Sequence, residues 1–599
     1  MTNPIPARLA ALRGAMHDHG IAATLIPSAD PHLSEYLPAR WQARAWLSGF
    51  TGSAGTLVVT REHAGLWTDS RYFSQASEEL AGSGITLMKL RLPHTPEHLD
   101  WLQQHLHDGD VLAVAGDSLA VTTQRQIQRL LSEVGASLRT DLDLPGAIWP
   151  DRPALPDAPV VEHDRAHAAV SRADKFARVR TAMRKHKASH HLVSSLDDIA
   201  WLTNLRGSDV ECNPVFLAHL LVQAEGRATL FVTRRKLSDT LVAALAADGI
   251  GVADYGSVSS SLQELGAADS LMLDGARVVS SIAAAIPAAA TTIEAANPST
   301  AFKAVKTPAE LDHIREVMRL DGAALVRGFR RLEQRLAAGA STTELDVDSI
   351  LHEERAAQPG HVGESFATIA GYQANGALPH YRATPASHSV LQRKGLLLID
   401  SGGQYLGGTT DITRVLALGD TTAEQRRDAT LVMKGMIALS RARFPAGASG
   451  PQIDVLARAP LWASGMDYGH GTGHGVGYFL NVHEGPHSIR PPIPGGALVP
   501  LEPGMISSIE PGLYKPGRHG IRHENLAVVV AAEQTEFGEF LAFETLTLCP
   551  FDRRALEPSL LSPEERAWLD DYHAGVRAAL SPLLEGVDLE WLQRHCAPL

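Results

Sequence analysis

Cysteine is almost absent from this chain: there are three in 599 residues, Cys212, Cys549 and Cys596. Far apart and odd in number, they match neither a disulfide framework nor a CxxC metal knuckle, and a reducing, cytoplasmic compartment is the simplest expectation. Long apolar runs are missing too. No uncharged stretch approaches the ~18 residues a membrane span needs, so nothing is expected to cross a bilayer. The first thirteen residues carry Pro4, Pro6 and two arginines but no apolar core, which argues against a secretory signal. Positive charge is in deficit, with 54 Lys+Arg against 67 Asp+Glu and a formal net charge of −13, which counts against nucleic-acid binding by bulk charge. The hydrophobic fraction, 44%, is that of an ordinary globular protein. At roughly 100–200 residues per domain the length predicts three to five domains.

Two punctuations divide the chain. Five prolines stand between Pro145 and Pro159, a stiff, non-helical connector. After Asn297-Pro298 a helix is well marked: Thr307 as N-cap, Pro308 at the first helical position and Glu310 closing a capping box. Leu311, Ile314, Met318, Leu325, Phe329, Leu332 and Leu336 then recur at helical steps up to Gly339. The predicted domains are 1–158, 159–298 and 299–599. The first two read as copies of one α/β unit, because Trp46–Ser53 (WLSGFTGS) aligns with Trp201–Ser208 (WLTNLRGS) and each string follows an apolar strand. Neither glycine-rich stretch binds a nucleotide on this reading. Gly49–Gly55 lacks the GK[ST] ending of a phosphate loop, and Gly471–Gly477 has Val476 where a dinucleotide fingerprint needs glycine.

The last segment carries the chemistry. Asp400 ends the apolar run Leu396–Ile399, Asp411 precedes another strand after two glycine pairs, Glu510 follows the strand Met505–Ile509, and Glu524 lies within a final strand. A buried carboxylate is costly unless paired, hydrogen-bonded or metal-bound. Singly each acid reads as a loop residue or a cap; jointly with His474 the four read as a metal site. Carboxylates with one imidazole are a hard donor set that suits manganese or a similar divalent ion, and four negative charges match two such cations. Histidine also clusters here: His470, His474, His483 and His487 fall within eighteen residues, where an even spread of 27 would place fewer than one. His483–His487 satisfies HExxH literally, but Gly485-Pro486 forbids the helix that motif requires. His487 reads as an ordinary loop residue.

With these residues in view, the last segment resembles the pita-bread metallopeptidases, the family of methionine aminopeptidase, prolidase and creatinase. The whole chain resembles its long, three-domain Xaa-Pro aminopeptidase branch. The strings that carry the resemblance are DPHLSEY (Asp30–Tyr36), SGFTGSAG (Ser48–Gly55), WTDSRYF (Trp67–Phe73), NLRGSDVECNPVF (Asn204–Phe216), Asp400–Arg414, His470–Pro486 and the Glu510/Glu524 pair. The resemblance implies an α/β (α+β) fold: two creatinase-type N-terminal α/β domains followed by a pita-bread catalytic domain. It implies two Mn2+ per subunit, with Zn2+ or Co2+ as alternatives. Asp400 would bind one ion, Asp411 and Glu524 would bridge, and His474 and Glu510 would complete the second. A hydroxide bridging the ions would attack the carbonyl before proline, and Glu510 would accept its proton. His380, His470 and His483 would hold the substrate carbonyl or move a proton. A homodimer acting on peptides with proline second is implied, with neither nucleic acid nor membrane as partner.

Two positions depart from the family pattern. Gly407 stands where an aspartate is usual in Asp-Gly-Thr-Thr-Asp, and His523 stands where isoleucine precedes the last glutamate. Strand alternation points His523 away from Glu524. Arg522 matches a family arginine that orients nearby carboxylates. The alternatives are a prolidase restricted to dipeptides and a catalytically inactive peptide-binding relative. The two N-terminal domains argue against the first, and the filled ligand positions against the second.

Overall fold

A computed structural model describes residues 3–91, 95–493, 496 and 498–599. The chain forms two compact units: Met1–His163 with Val170–Thr300, and Asp164–Ala169 with Ala301–Leu599. No helix among the described residues is long and apolar enough to cross a membrane.

The first unit holds two six-stranded sheets. One contains Ala23–Pro27, Thr56–Thr60, Ala64–Thr68, Thr86–Lys89, Val111–Ala113 and Ser137–Arg139; the other contains His190–Val193, His219–Gln223, Ala228–Phe231, Ile250–Ala253, Ser270–Leu273 and Thr291–Glu294. Ranked by position in the chain, both have strand order 4-3-2-1-5-6. Both also share one pattern of directions, antiparallel through the first three strands and parallel elsewhere. The aligned strings take the same local form. Helix Ala43–Ser48 ends at Gly49 (φ 74°) and helix Leu196–Thr203 ends at Asn204 (φ 50°), each a left-handed C-cap.

In the second unit, helix Pro308–Ala337 starts with the Thr307–Glu310 capping box. The antiparallel strands Leu396–Ser401 and Ile412–Ala417 are buried throughout. Alternation divides their side chains between two cores. Leu397, Ile399, Ile412 and Leu416 pack with Phe329 and Leu332 of the long helix, while Leu396 and Val415 pack with Val432, Met433 and Met436. A further sheet orders Arg443–Pro445, Gly538–Thr545, Asn525–Thr535, Ile506–Ile509, Gly473–Gly475 and Glu484–Ile489. Glu484–Ile489 is a strand, so His483 and His487 share no helix, and buried His487 bonds the Ile506 carbonyl through Nε2 at 2.9 Å rather than sitting in a loop. One boundary differs from expectation. Glu524 lies in the break between His519–Arg522 and Asn525–Thr535, because its N–H is spent on the Thr413 carbonyl (3.2 Å) across the site.

Candidate metal centre

All four acids stand at strand ends. Asp400 is the next-to-last residue of Leu396–Ser401 and faces Thr413 in register; Asp411 immediately precedes Ile412; Glu510 follows Ile509; Glu524 precedes Asn525. His474 is the central residue of Gly473–Gly475, where the pairing register shifts. Such irregularities re-aim side chains. Its Nε2 lies 3.4 Å from both Asp411 Oδ2 and Glu510 Oε1. Among the described residues, ligand atoms of Asp411, His474 and Glu524 all lie within 4.8 Å of one another.

The supports are specific. Arg522 donates from Nη2 to Asp400 Oδ2 at 2.5 Å, from Nη1 to the Tyr514 hydroxyl at 2.6 Å and from Nε to Thr413 Oγ1 at 3.1 Å. Thr413 in turn donates to Glu524 Oε2 at 2.7 Å. Ser508 Oγ donates to Glu510 Oε1 at 3.2 Å and accepts the His474 N–H at 2.9 Å. The Glu510 N–H bonds the Thr472 carbonyl at 2.7 Å.

What remains unpaired points to a cation. Asp400 Oδ1 and Glu524 Oε1 are buried without a hydrogen-bond partner among the described residues. Burial, reinforced by Asp411 and opposed by Arg522, pushes Asp400 up to about 7; burial and the neighbouring acids raise Glu524 well above the carboxylate range. Burial lowers His474, but Asp411 and Glu510 outweigh it and bring the imidazole up to about 9. Without cations the cluster retains protons; a divalent pair would take their place. The donor set fits such a pair.

The histidines fall into different settings. The His483 ring meets that of His474 edge-on, with centroids 4.3 Å apart. His380 is half-buried on the loop after Ile369–Tyr372, and the preceding Pro379 carbonyl accepts from Arg522 at 3.3 Å. His470 has Nδ1 2.7 Å from the Gly471 carbonyl and Nε2 2.8 Å from the Tyr514 hydroxyl. The carbonyl requires Nδ1 to donate, so Nε2 accepts from Tyr514. Both ring nitrogens are engaged within the protein. His523 faces the core, its ring edge-on to Phe551, and burial drives it down to about 3. Beside Gly407, a Cβ would meet His313 Cβ at 3.2 Å and His167 Cδ2 at 3.3 Å.

Tyr514, Thr413 and Ser508 were not singled out from the sequence. The turn signal Pro516-Gly517 between short strands marks a hairpin that pairs Gly512 with Arg522 and Tyr514 with Gly520. That register brings Tyr514 beside Arg522.

Residues 312–531 match the family described as Metallopeptidase family M24, and residues 539–599 match its C-terminal region. Residues 8–142 and 151–310 each match the Creatinase/Prolidase N-terminal domain. A Laccaria bicolor protein described as "Probable Xaa-Pro aminopeptidase P" is 40% identical over 606 residues, covering 99% of this chain and 93% of its own. The chain belongs to metallopeptidase family M24. Aminopeptidase P2 of Arabidopsis thaliana is 38% identical, over 97% of this M24 chain and 86% of its own. The crystal structure of a Caenorhabditis elegans X-prolyl aminopeptidase, described as a cytosolic enzyme with a di-nuclear active site, superposes with a TM-score of 0.94. It is 32% identical, with 99% of each chain covered. Two creatinase-type α/β domains and an M24 catalytic domain are thus the architecture.

Proposed function

We propose that this M24 chain is a metal-dependent aminopeptidase that removes the N-terminal residue from peptides with proline second. The carrying observation is that Asp411 and Glu510 meet His474 and that Asp411, His474 and Glu524 lie within reach of one ion, with, among the described residues, a buried, unpartnered oxygen on Asp400 and on Glu524. Asp400 would hold one divalent ion, Asp411 and Glu524 both ions, and His474 and Glu510 the second; we assign Mn2+. Such a pair, when bound, supplies a nucleophilic water at neutral pH and a Lewis acid for the carbonyl.

The chain's own groups supply the rest. Glu510 holds the proton released in the attack and returns it to the departing proline nitrogen, which has no hydrogen of its own in the peptide. His483, against His474, and His380 face the substrate carbonyl and stabilise its negative charge as the tetrahedral centre forms. His470 acts through Tyr514, which Arg522 also holds, and so keeps Asp400 aligned.

Relatives matched over 93% and 99% of their own length are described as Xaa-Pro aminopeptidases, which favours this reading over a dipeptide-restricted prolidase. We assign the domains as 1–158, 159–298 and 299–599. The cytoplasm suits a chain whose three cysteines form no disulfide among the described residues. A homodimer suits helix Gly450–Trp462, whose outward face exposes Val455, Leu456 and Trp462 (49% exposed). Arg458 of the same helix is buried and donates to the His470 carbonyl at 2.7 Å.

The deciding assay compares Arg-Pro-Pro with Gly-Pro, with and without Mn2+ after chelation. Metal-restored cleavage of the tripeptide is expected. Cleavage of the dipeptide alone would indicate a prolidase, and no metal-dependent cleavage of either would overturn the enzymatic reading.

A further inference from the structure

Glu344 is completely buried, yet it takes no part in the metal cluster or in capping its own helix. Helix Glu344–Ala356 is capped by Thr343 and Asp346, whose side chains exchange bonds with each other's N–H groups. An acid in a first helical turn ordinarily complements the helix dipole or accepts from nearby N–H groups. Glu344 instead reaches across to the segment 372–389, which carries His380 near its middle.

Four donors converge on its carboxylate. The Tyr372 N–H bonds Oε1 at 2.7 Å, and the Ser389 N–H bonds Oε2 at 2.7 Å. The Tyr381 hydroxyl donates to Oε2 at 2.8 Å, and Asn375 Nδ2 lies 3.0 and 3.1 Å from the two oxygens. The Glu344 N–H also donates to the Ser389 carbonyl at 3.1 Å. One side chain therefore ties both ends of the segment, together with Tyr381, the residue next to His380.

The far side of the same segment is pressed against the site. A Cβ on Gly520 would lie 1.6 Å from the Gly376 carbonyl oxygen, so nothing larger than glycine fits between that loop and the strand leading to Arg522. Arg522, which holds Asp400, also holds the Pro379 carbonyl. His380 thus stands between two fixed neighbours, Pro379 anchored to the metal-site arginine and Tyr381 anchored to Glu344. A reacting group displaced by about 1 Å loses of order a hundredfold in rate.

We infer that Glu344 is the positioning residue for His380: it fixes the 372–389 segment so that this imidazole meets the substrate carbonyl. The inference rests on the aminopeptidase reading of the site. Glu344→Gln keeps the shape but turns an amide towards donors that need an acceptor.

The test is a double-mutant cycle with His380→Ala in the Mn2+-loaded chain. Glu344→Gln is expected to lower kcat about tenfold or more, with KM changed less than about threefold and bound metal unchanged. In the His380→Ala background the same substitution should cost less than about twofold. Amide hydrogen exchange at Tyr372 and Ser389 should accelerate in Glu344→Gln even without metal. Should that variant not fold, Tyr381→Phe, which removes one donor, should show a smaller loss that also vanishes beside His380→Ala. Equal fold-losses in the two backgrounds, an unaltered kcat or unchanged exchange would overturn the inference. A wild-type chain with no metal-dependent cleavage would instead sink the aminopeptidase reading on which it rests.

Discussion

The guanidinium of Arg522 lies 2.5 Å from Asp400 and 2.6 Å from the Tyr514 hydroxyl, so one cation binds both an acid of the candidate centre and the phenol that bonds His470. The guanidinium's planar fork makes four directed bonds here, counting Thr413 and the Pro379 carbonyl, and a lysine's point charge cannot reproduce them. Arg522→Lys should therefore lower kcat roughly ten- to a hundredfold. Steady-state kinetics beside metal analysis checks this. Near-normal turnover would remove Arg522 from the alignment of the site.

Asp411 touches His474 and shares the candidate centre with Glu524. Asp411→Asn keeps the volume and removes the charge. It should abolish peptide cleavage and lower the bound-metal count per chain, measured by elemental analysis after gel filtration. Full metal loading with normal turnover would refute a bridging role.

The raised acid–base groups set a pH dependence for the metal-free chain. Asp400 at about 7 and His474 at about 9 hold protons more tightly than their ordinary values of 3.8 and 6.5. Such groups contribute stability that is complete below the ordinary value and is lost as pH rises through the raised one. The thermal midpoint of the chelated protein should accordingly fall between pH 4 and pH 9. Added Mn2+ should raise it most at the alkaline end, where protons no longer compete. A midpoint that rises with pH over this range would contradict the assignment.

Next to His483, Glu484 is fully buried and paired with the equally buried Lys306, whose ammonium also bonds the Lys303 carbonyl at 2.8 Å. Lys306→Met strands that carboxylate from its lysine and should cost about 3–5 kcal/mol by denaturant unfolding. The double variant Lys306→Met/Glu484→Leu should recover much of the loss, since an apolar pair carries no desolvation penalty.

Much of this was legible in the sequence, for identifiable reasons. Thr307-Pro308-x-Glu310 is a local signal, and the helix starts where it says. Asp400 and Glu510 end apolar runs, and a strand end is a local property too. Glu524 was misplaced inside a strand because its N–H is captured by Thr413, more than a hundred residues away in the chain. Tyr514 and Glu344 were invisible for a similar reason: each matters through partners that only the fold brings near. The hydrogen-bond setting of His470 was likewise hidden, since a motif reveals an imidazole but not which of its nitrogens is already engaged.

The glycine at 407 constrains how this sequence can change. His313 and His167 fill the space beside it, and both bond Tyr478, through His313 Nδ1 at 2.7 Å and the His167 carbonyl at 3.0 Å. Tyr478 opens the short stretch that ends at His483. An aspartate at this position would crowd both histidines through its Cβ. The three positions are therefore coupled: a side chain added at 407 needs His313 or His167 to yield by a few tenths of an ångström, and both of those residues are bonded to Tyr478.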